Sequence, residues 1–357
     1  MSPAPAALRA GLIGYGLAGS VFHAPLISAT AGLEVASVVT SNPERRARAE
    51  ADLPGVRVLD RAEALWELAG EHDLVVVASP NRTHVPLARA AIEVGLAVVV
   101  DKPLAPTAAD GRGLVEAAAA AGVPLTVFHN RRWDGDMLTV RRLLGEDAVG
   151  PVTRFESRFE RWRPAVRADA WREREDPGEA GGLLFDLGTH LVDQALVLFG
   201  RPTHVYAEVD RRRPGAAVDD DTFVALAHRN GVRSHLWMST VAALPQARMR
   251  LLGLTGAYVK DGLDGQEEAL RTGRRPGEAN WGREPPERWG RLARDDQITP
   301  IETEPGAYER FYAGVEGWLR EGAPVPVDPA DAVIGLEILE AAFASPEAAE
   351  IVVLPAG

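Results

Sequence analysis

Over the first 130 residues, short apolar runs alternate with longer stretches of helical spacing. Residues 10–13, 35–40, 56–59, 74–78, 97–100 and 125–128 are the runs, rich in valine. They are apolar at almost every position, the pattern of parallel strands covered on both faces. Between them, 43–51, 61–69, 83–94 and 107–121 read as helices, with Thr107 as an N-cap and Gly122 and Pro124 as a stop. Strand–helix alternation with short connections predicts an α/β doubly wound parallel sheet. Beyond residue 130 the pattern changes. Residues 136–144 read as one helix. Residues 153–162 alternate strictly, with Phe155 and Phe159 on one face and Arg154, Glu156, Arg158 and Glu160 on the other. That is a strand with one covered face. Further runs at 205–209, 223–228, 233–240, 249–254 and 258–260 follow with little helix between them, so a second, open and mainly antiparallel sheet is expected. Residues 261–298 are polar and rich in Gly, Pro and Arg, and read as a long irregular segment. A helix over 330–343 and an apolar run at 351–354 close the chain. The expected organisation is one domain over 1–130 and a second α/β domain over 131–357.

Composition narrows the partners. The 357 residues suffice for two cores, and a formal charge of −12 argues against nucleic acid or an anionic membrane as partner. Cysteine is absent, which removes disulfides, thiol nucleophiles and thiolate metal sites. No apolar run approaches the ~20 residues of a membrane span. The apolar segment after Arg9 carries Gly11, Gly14, Gly16 and Gly19, which suit a strand and tight turn better than a secretion signal. A cytoplasmic protein is the expectation. Only two of the 39 basic residues are lysines, Lys102 and Lys260.

The first strand runs into Gly14-Tyr15-Gly16-Leu17-Ala18-Gly19, a G-x-G-x-x-G pattern at the start of a helix. Gly14 permits the tight turn, Gly16 lets backbone approach a pyrophosphate, and Gly19 allows close helix–strand packing. The N–H groups from Leu17 and Ala18 onward open the helix toward the anion. An ordinary glycine-rich turn is the alternative, and the surrounding strand–turn–helix alternation favours the dinucleotide. The second strand ends at Thr40-Ser41-Asn42, without the acid that usually binds the ribose hydroxyls of NAD, and Arg45 and Arg46 follow. Hydroxyls and a guanidinium suit a 2′-phosphate, so NADP is preferred over NAD. Ser79, Pro80 and Asn81 end the fourth strand at the carboxyl edge, where such sheets bind ligands. His84, just after them, is a candidate cofactor contact or a cap of its helix. Asn130, beside His129 and Arg131, follows the sixth strand and is a candidate for the cofactor. Arg131 is one for the substrate, with hinge packing as the other reading of all three.

Two segments carry candidate chemistry. Asp101-Lys102-Pro103 directly follows the fifth strand, where Lys102 is placed to polarise a substrate oxygen and Asp101 to border the cofactor. Residues 183–199 read as a helix apolar on most sides, with Asp186, His190 and Asp193 as a narrow polar stripe at i, i+4, i+7. A carboxylate and an imidazole on such a helix need a polar cleft or each other. Gly188 within it points to something packed against the backbone. Trp171 and Arg172 precede this helix as candidate substrate contacts, and Trp281 and Trp289 as a cofactor shield or subunit contact. No ligand cluster of clear spacing supports a metal.

These segments resemble the Gfo/Idh/MocA family of nicotinamide-dependent oxidoreductases over essentially the whole chain. The family's E-K-P tripeptide matches Asp101-Lys102-Pro103, with Asp in place of the usual Glu. Its D-x-G-x-H-x-x-D stretch matches residues 186–193. Val21-Phe22-His23-Ala24-Pro25-Leu26, residues 128–134 and 262–267, and Trp171-Arg172-Glu173 are similar to the branch of NADP-dependent scyllo-inositol dehydrogenases. The resemblance implies an N-terminal Rossmann domain, a C-terminal domain with an open antiparallel sheet, and Lys102, Asp186 and His190 as catalytic residues. It further implies a small polyol or keto-sugar substrate, oxidised or reduced at a secondary alcohol, and a homodimer or homotetramer. A cofactor-binding sensor without chemistry is the competing reading. A metal-dependent hydrolase or lyase built on Asp186, His190 and Asp193 is a third.

Overall fold

The computed structural model describes residues 6–166, 173, 175–348 and 351–354. The chain forms two units. The first holds the residues up to Asn130 together with Gln266–Trp281 and Ala307–Ala332; the second holds Arg131–Gly265, Gly282–Gly306 and the chain from Val333 on. Two stretches beyond residue 130 therefore fold with the first unit.

The first unit is built on six parallel strands: β1 (Leu8–Ile13), β2 (Leu33–Val39), β3 (Arg57–Leu59), β4 (Leu74–Val77), β5 (Ala97–Asp101) and β6 (Leu125–Phe128), in the order β3-β2-β1-β4-β5-β6. Leu74 to Val77 are buried throughout, as expected for a strand covered on both faces. The helices are α1 (Ala24–Ser28), α2 (Pro43–Asp52), α3 (Ala62–Trp66), α4 (His84–Glu93) and α5 (Ala108–Ala121). Local chemistry sets their ends. The Asn42 side chain accepts from Arg45 N at 3.0 Å and Pro43 opens α2. Thr107 Oγ1 accepts from Asp110 N at 3.0 Å, and Gly122 ends α5 in the left-handed region at φ 66°. The strand order reverses between β1 and β4, which puts a crevice at their carboxyl ends.

The returning segments contribute α8 (Gln266–Arg271) and α9 (Glu309–Glu321), packed on the helical turn Ala18–His23 and on α1. Phe311 and Tyr312 of α9 are fully buried. Phe311 meets Phe128 edge-on at 5.0 Å between centroids, and Phe128 meets His23 at 4.3 Å. Burying an aromatic side chain contributes about 2–3 kcal/mol, which holds a helix weakened by Gly314 and Gly317.

The second unit begins with α6 (Gly135–Gly145) and β7 (Val152–Glu160). Then come α7 (Thr189–Phe199), β8 (Pro202–Asp210), β9 (Asp221–His228), β10 (Arg233–Ser239), β11 (Met249–Gly253) and β12 (Gly256–Lys260). With β13 (Gly290–Arg294), β14 (Gln297–Ile301) and β15 (Val352–Val353) they form a nine-stranded sheet, β14-β13-β12-β11-β7-β10-β9-β8-β15. The sheet is mixed: β7 and β10 pair in parallel, and the other pairs among the described residues are antiparallel. Helix α10 (Pro329–Ala348, which runs in this unit from Val333) brings Leu339 against Gly188 and Phe343 to 6.4 Å from Phe185, on the turn that leads into α7. On the strands' outward-pointing residues, the Arg158 guanidinium stacks on Trp237 at 3.8 Å, and Phe223 lies 5.0 Å from Trp237.

The stretch 261–298 is not the irregular segment its composition suggests. It carries α8, β13 and the start of β14. The hairpin β13–β14 turns through Asp295 and Asp296, both at positive φ (50° and 59°), the two-residue turn that suits right-twisted strands. Its side chains are mostly exposed, so no apolar run marks it.

Three histidines give the fold a pH dependence. Burial pushes His84, His228 and His235 below the usual imidazole range, against Asp101 at His84 and with Arg154 at His235. Their stabilisation is complete above about pH 6.5 and is lost as pH falls through each folded value, because the unfolded chain takes the proton first. Asp219, pushed up by burial, acts in the opposite sense, as one group against three. Thermal unfolding followed by circular dichroism should show the melting temperature dropping several degrees between pH 7.5 and 5.5; a flat profile contradicts this.

Candidate active site

The first unit gathers its candidate residues at the carboxyl ends of β1, β2, β4, β5 and β6. Gly14 has φ +97°, and a methyl group added there would lie 2.5 Å from Ala78 O; one added at Gly19 would lie 2.0 Å from Gly14 O. Both glycines are obligatory for the turn. Gly16 differs: the nearest atoms to such a methyl are those of the Arg45 guanidinium, at 3.9 Å. The backbone there is open to a diphosphate, as a dinucleotide cradle requires. Leu17 is exposed and Ala18 partly so. Thr40 is buried and its Oγ1 accepts from Asn42 N at 3.3 Å, while Ser41 is exposed. The two arginines of the sequence reading separate here. Arg46 bonds Val58 O at 3.2 Å and pairs with Asp60 and Glu50. The exposed Arg45 guanidinium has no ion-pair partner among the described residues.

At the end of β4, Ser79 Oγ and Thr83 Oγ1 are 2.6 Å apart, Pro80 precedes the turn Asn81–Thr83, and Asn81 is buried. His84 lies with Nδ1 2.8 Å from Pro103 O and Nε2 3.0 Å from Ser79 O, tying the β4 turn to the Asp101-Lys102-Pro103 turn. Asp101 Oδ1 accepts from Lys102 N at 2.8 Å, and the Lys102–Pro103 peptide is cis. His129 and Asn130 are buried after β6.

The second unit carries Asp186 and His190 on one continuous winding. Residues Leu184–Gly188 form a wide π-type turn that runs into α7. Asp219 fixes its start: Oδ2 accepts from Leu184 N at 2.8 Å and from Thr222 Oγ1 at 2.9 Å, and its carbonyl accepts from Leu183 N. Gly182 (φ +91°) lies so close that a methyl group there would sit 1.8 Å from Asp219 Oδ1. Gly188 packs on Leu339 and Met238, the close neighbours its sequence position called for. Asp186 and His190 are 7% and 6% exposed.

Phe159 stands edge-on to His190, 6.4 Å between centroids. Arg248 lies over the Phe159 ring at 4.2 Å and Arg131 at 5.0 Å. Arg248 also bonds Ser157 Oγ and, at 3.1 Å, Gln194 Oε1; Gln194 Nε2 in turn donates to Arg131 O at 2.9 Å. The stripe read from the sequence therefore divides. Asp193 takes a bidentate pair from Arg132 (Nε 2.9 Å, Nη2 2.6 Å) inside the unit. Asp186 and His190 remain as the candidate chemistry.

Lys102 stands on the first unit and Asp186, His190 and Arg131 on the second. Trp171 and Arg172 lie outside the described residues. Trp281 is buried in the first unit and donates to Glu309 Oε2 at 2.9 Å; Trp289 donates to Glu284 O at 3.3 Å. Arg248, Phe159 and Asp219 were not found by sequence reasoning. Phe159 had its covered face as a signal, and Asp219 the preceding Gly182 of a tight contact. Arg248 had none, being one arginine among many.

Cradle, lysine turn and Asp–His helix together define a class, and the comparisons agree. The chain matches the oxidoreductase family with an NAD-binding Rossmann fold over residues 8–129 and the GFO/IDH/MocA C-terminal domain over 137–259. It belongs to the Gfo/Idh/MocA family of oxidoreductases. It is 42% identical to the uncharacterized oxidoreductase YdgJ of Escherichia coli, covering 93% of this chain and 94% of that one. It is 35% identical to the Bacillus subtilis scyllo-inositol 2-dehydrogenase (NADP(+)) IolW, covering 95% and 93%. Among solved structures, the oxidoreductase yvaA of Bacillus subtilis aligns with a TM-score of 0.92 at 34% identity, covering 98% of this chain and 99% of that one. The structure also shows no helix, among the described residues, long and apolar enough to cross a membrane.

Proposed function

We propose that the protein is an NADP(H)-dependent dehydrogenase that interconverts a secondary alcohol and a ketone of a cyclitol or sugar. The observation that carries this reading is the setting of His190: a buried imidazole, edge-on to Phe159, on a helix pinned by Asp219. The other unit of the same chain bears a dinucleotide cradle. The similarity to the enzyme named scyllo-inositol 2-dehydrogenase (NADP(+)) supports the substrate class.

When bound, the nicotinamide supplies hydride transfer at the carbinol carbon. Gly14 and Gly19 form the turn that lets the phosphates approach at Gly16, with Leu17 and Ala18 at the opening of the helix. Thr40, Ser41 and Arg45 receive a 2′-phosphate, and Ser79, Pro80, Asn81, Asp101 and Asn130 border the rest of the cofactor. His190 takes the hydroxyl proton and returns it in the reverse direction. Lys102 bonds the same oxygen and holds its developing charge. Asp186 binds a neighbouring hydroxyl or orients His190, and Arg131 contacts the substrate. The same reading carries a homodimer or homotetramer. The outward side of β8–β10 supports it, where Phe223 and Trp237 sit among Glu208, Asp210, Asp221 and Arg212, charges of both signs around an aromatic centre.

The test is a spectrophotometric screen of inositols, inososes and aldoses with both cofactors. Turnover of a cyclitol or sugar with NADP preferred is expected, together with a dimer or tetramer by sedimentation velocity. Arg45→Ala should weaken NADP binding about 10- to 100-fold and leave NAD binding unchanged, because one charge-assisted bond contributes about 1.5–3 kcal/mol. No hydride transfer across the panel favours the sensor reading instead.

A further inference from the structure

Next to Lys102 in the first unit, two buried polar groups and a partly buried carboxylate form a chain to which the proposed hydride transfer assigns no role. Tyr312 Oη lies 2.6 Å from His23 Nδ1, and both side chains are fully buried. On the far side of the ring, His23 Nε2 faces Asp101 Oδ2 at 3.9 Å. The other oxygen of that carboxylate accepts the main-chain N–H of Lys102.

The direction of the protons follows from chemistry. Burial and then Asp101 push the Tyr312 phenol well above its usual range, so it keeps its proton. Nδ1 of His23 is the one hydrogen-bond partner of that hydroxyl among the described residues, so Tyr312 donates and Nδ1 accepts. The N–H then lies at Nε2, whose contact with the carboxylate at 3.9 Å is an electrostatic one, longer than a hydrogen bond. The opposite tautomer would leave the phenol proton buried without an acceptor and turn a nitrogen lone pair toward an anion. Burial pushes Asp101 up, but His23, Lys102 and His84 together outweigh it and hold the carboxyl below the ordinary range.

We infer that Tyr312, His23 and Asp101 form a relay that positions Lys102, fixing the carboxylate that in turn fixes the main chain of the lysine. His84 stands at the other flank of the same turn, with Pro103 O and Ser79 O on its two sides, and its neutral ring donates to one of them. None of these four side chains is asked to touch the reacting atoms; they are positioning residues. The inference rests on the role of Lys102 proposed above. It also assigns a use to α9, which reaches the sheet from nearly two hundred residues further along the chain and carries the phenol.

The chain has two lysines, so ¹⁵N-lysine labelling gives two backbone amide signals, and Lys260→Arg assigns the one from Lys102. In the holoenzyme with NADP⁺, His23→Phe and Asp101→Asn should move the Lys102 amide and speed its hydrogen exchange. Both should lower kcat with scyllo-inositol about 10- to 100-fold, the scale of a group displaced by about 1 Å, and His23→Phe, at a fully buried ring away from the cofactor contacts, should leave the Kd of NADPH unchanged. Asp101→Glu, which keeps the carboxylate, should recover most of the activity. Tyr312→Phe removes one hydroxyl from an intact core and should act in the same direction more weakly, which covers a failure of His23→Phe to fold. An unmoved Lys102 amide in these variants overturns the inference, and so does wild-type kcat in Asp101→Asn. If Lys102→Met keeps full turnover, the catalytic reading fails instead, while the amide result still judges the relay.

Discussion

His190→Ala should lower kcat by about 10²–10⁴, the range lost when a positioned general base is removed. That is about 3–5 kcal/mol of transition-state stabilisation. The side chain is almost fully buried beside Phe159, on a helix whose start is fixed by Asp219, so the ring is held before substrate arrives. Its removal leaves the nucleotide cradle untouched, because Gly14, Gly16 and Gly19 belong to the other unit. The Kd of NADPH, read by fluorescence, should therefore stay at the wild-type value while turnover collapses. Lys102→Met should show the same split. Turnover within threefold of wild type in His190→Ala would remove the imidazole from the mechanism.

Asp193→Ala should destabilise the protein by about 3–5 kcal/mol, the loss typical when one partner of a buried ion pair is deleted. Arg132 and Asp193 are 10% and 5% exposed on their side chains and meet through a bidentate contact. Truncating the acid removes two charge-assisted hydrogen bonds from a buried guanidinium. The urea midpoint should fall markedly, and Asp193→Asn, which keeps an acceptor without the charge, should fall less. Full stability in Asp193→Ala would mean that water already screens this pair.

How far the sequence carried depends on how local each signal is. The parallel sheet was legible because its central strands, such as Leu74–Val77, are buried on both faces and apolar throughout. The glycine turn was legible because the constraint on Gly14 and Gly19 is steric and immediate. The Asp186–His190 pair was visible as polar residues on an otherwise apolar helix. Its companion Asp193 could not be separated from them, because its partner Arg132 is 61 residues away. The winding at Leu184–Gly188 also shifts the stripe in a way that a 3.6-residue period does not anticipate. Hairpin β13–β14 was hidden because an exposed edge needs no apolar pattern. Helix α9 carries its own apolar face in Phe311, Tyr312 and Val315, and the helix-weakening Gly314 and Gly317 among them obscured it.

The path of the backbone between the units has a practical side. The polypeptide passes from one to the other five times. A fragment ended at Asn130 would lack α8, α9 and the hydroxyl that meets His23, so the nucleotide unit cannot be cut out as one piece of gene. Exchanging it between relatives means transplanting three separate stretches at once. Substitutions in cradle and C-terminal segments are thereby tied into a single inheritance, and new substrate preferences in such a chain have to arise by point changes in place, with no shuffling of ready-made modules.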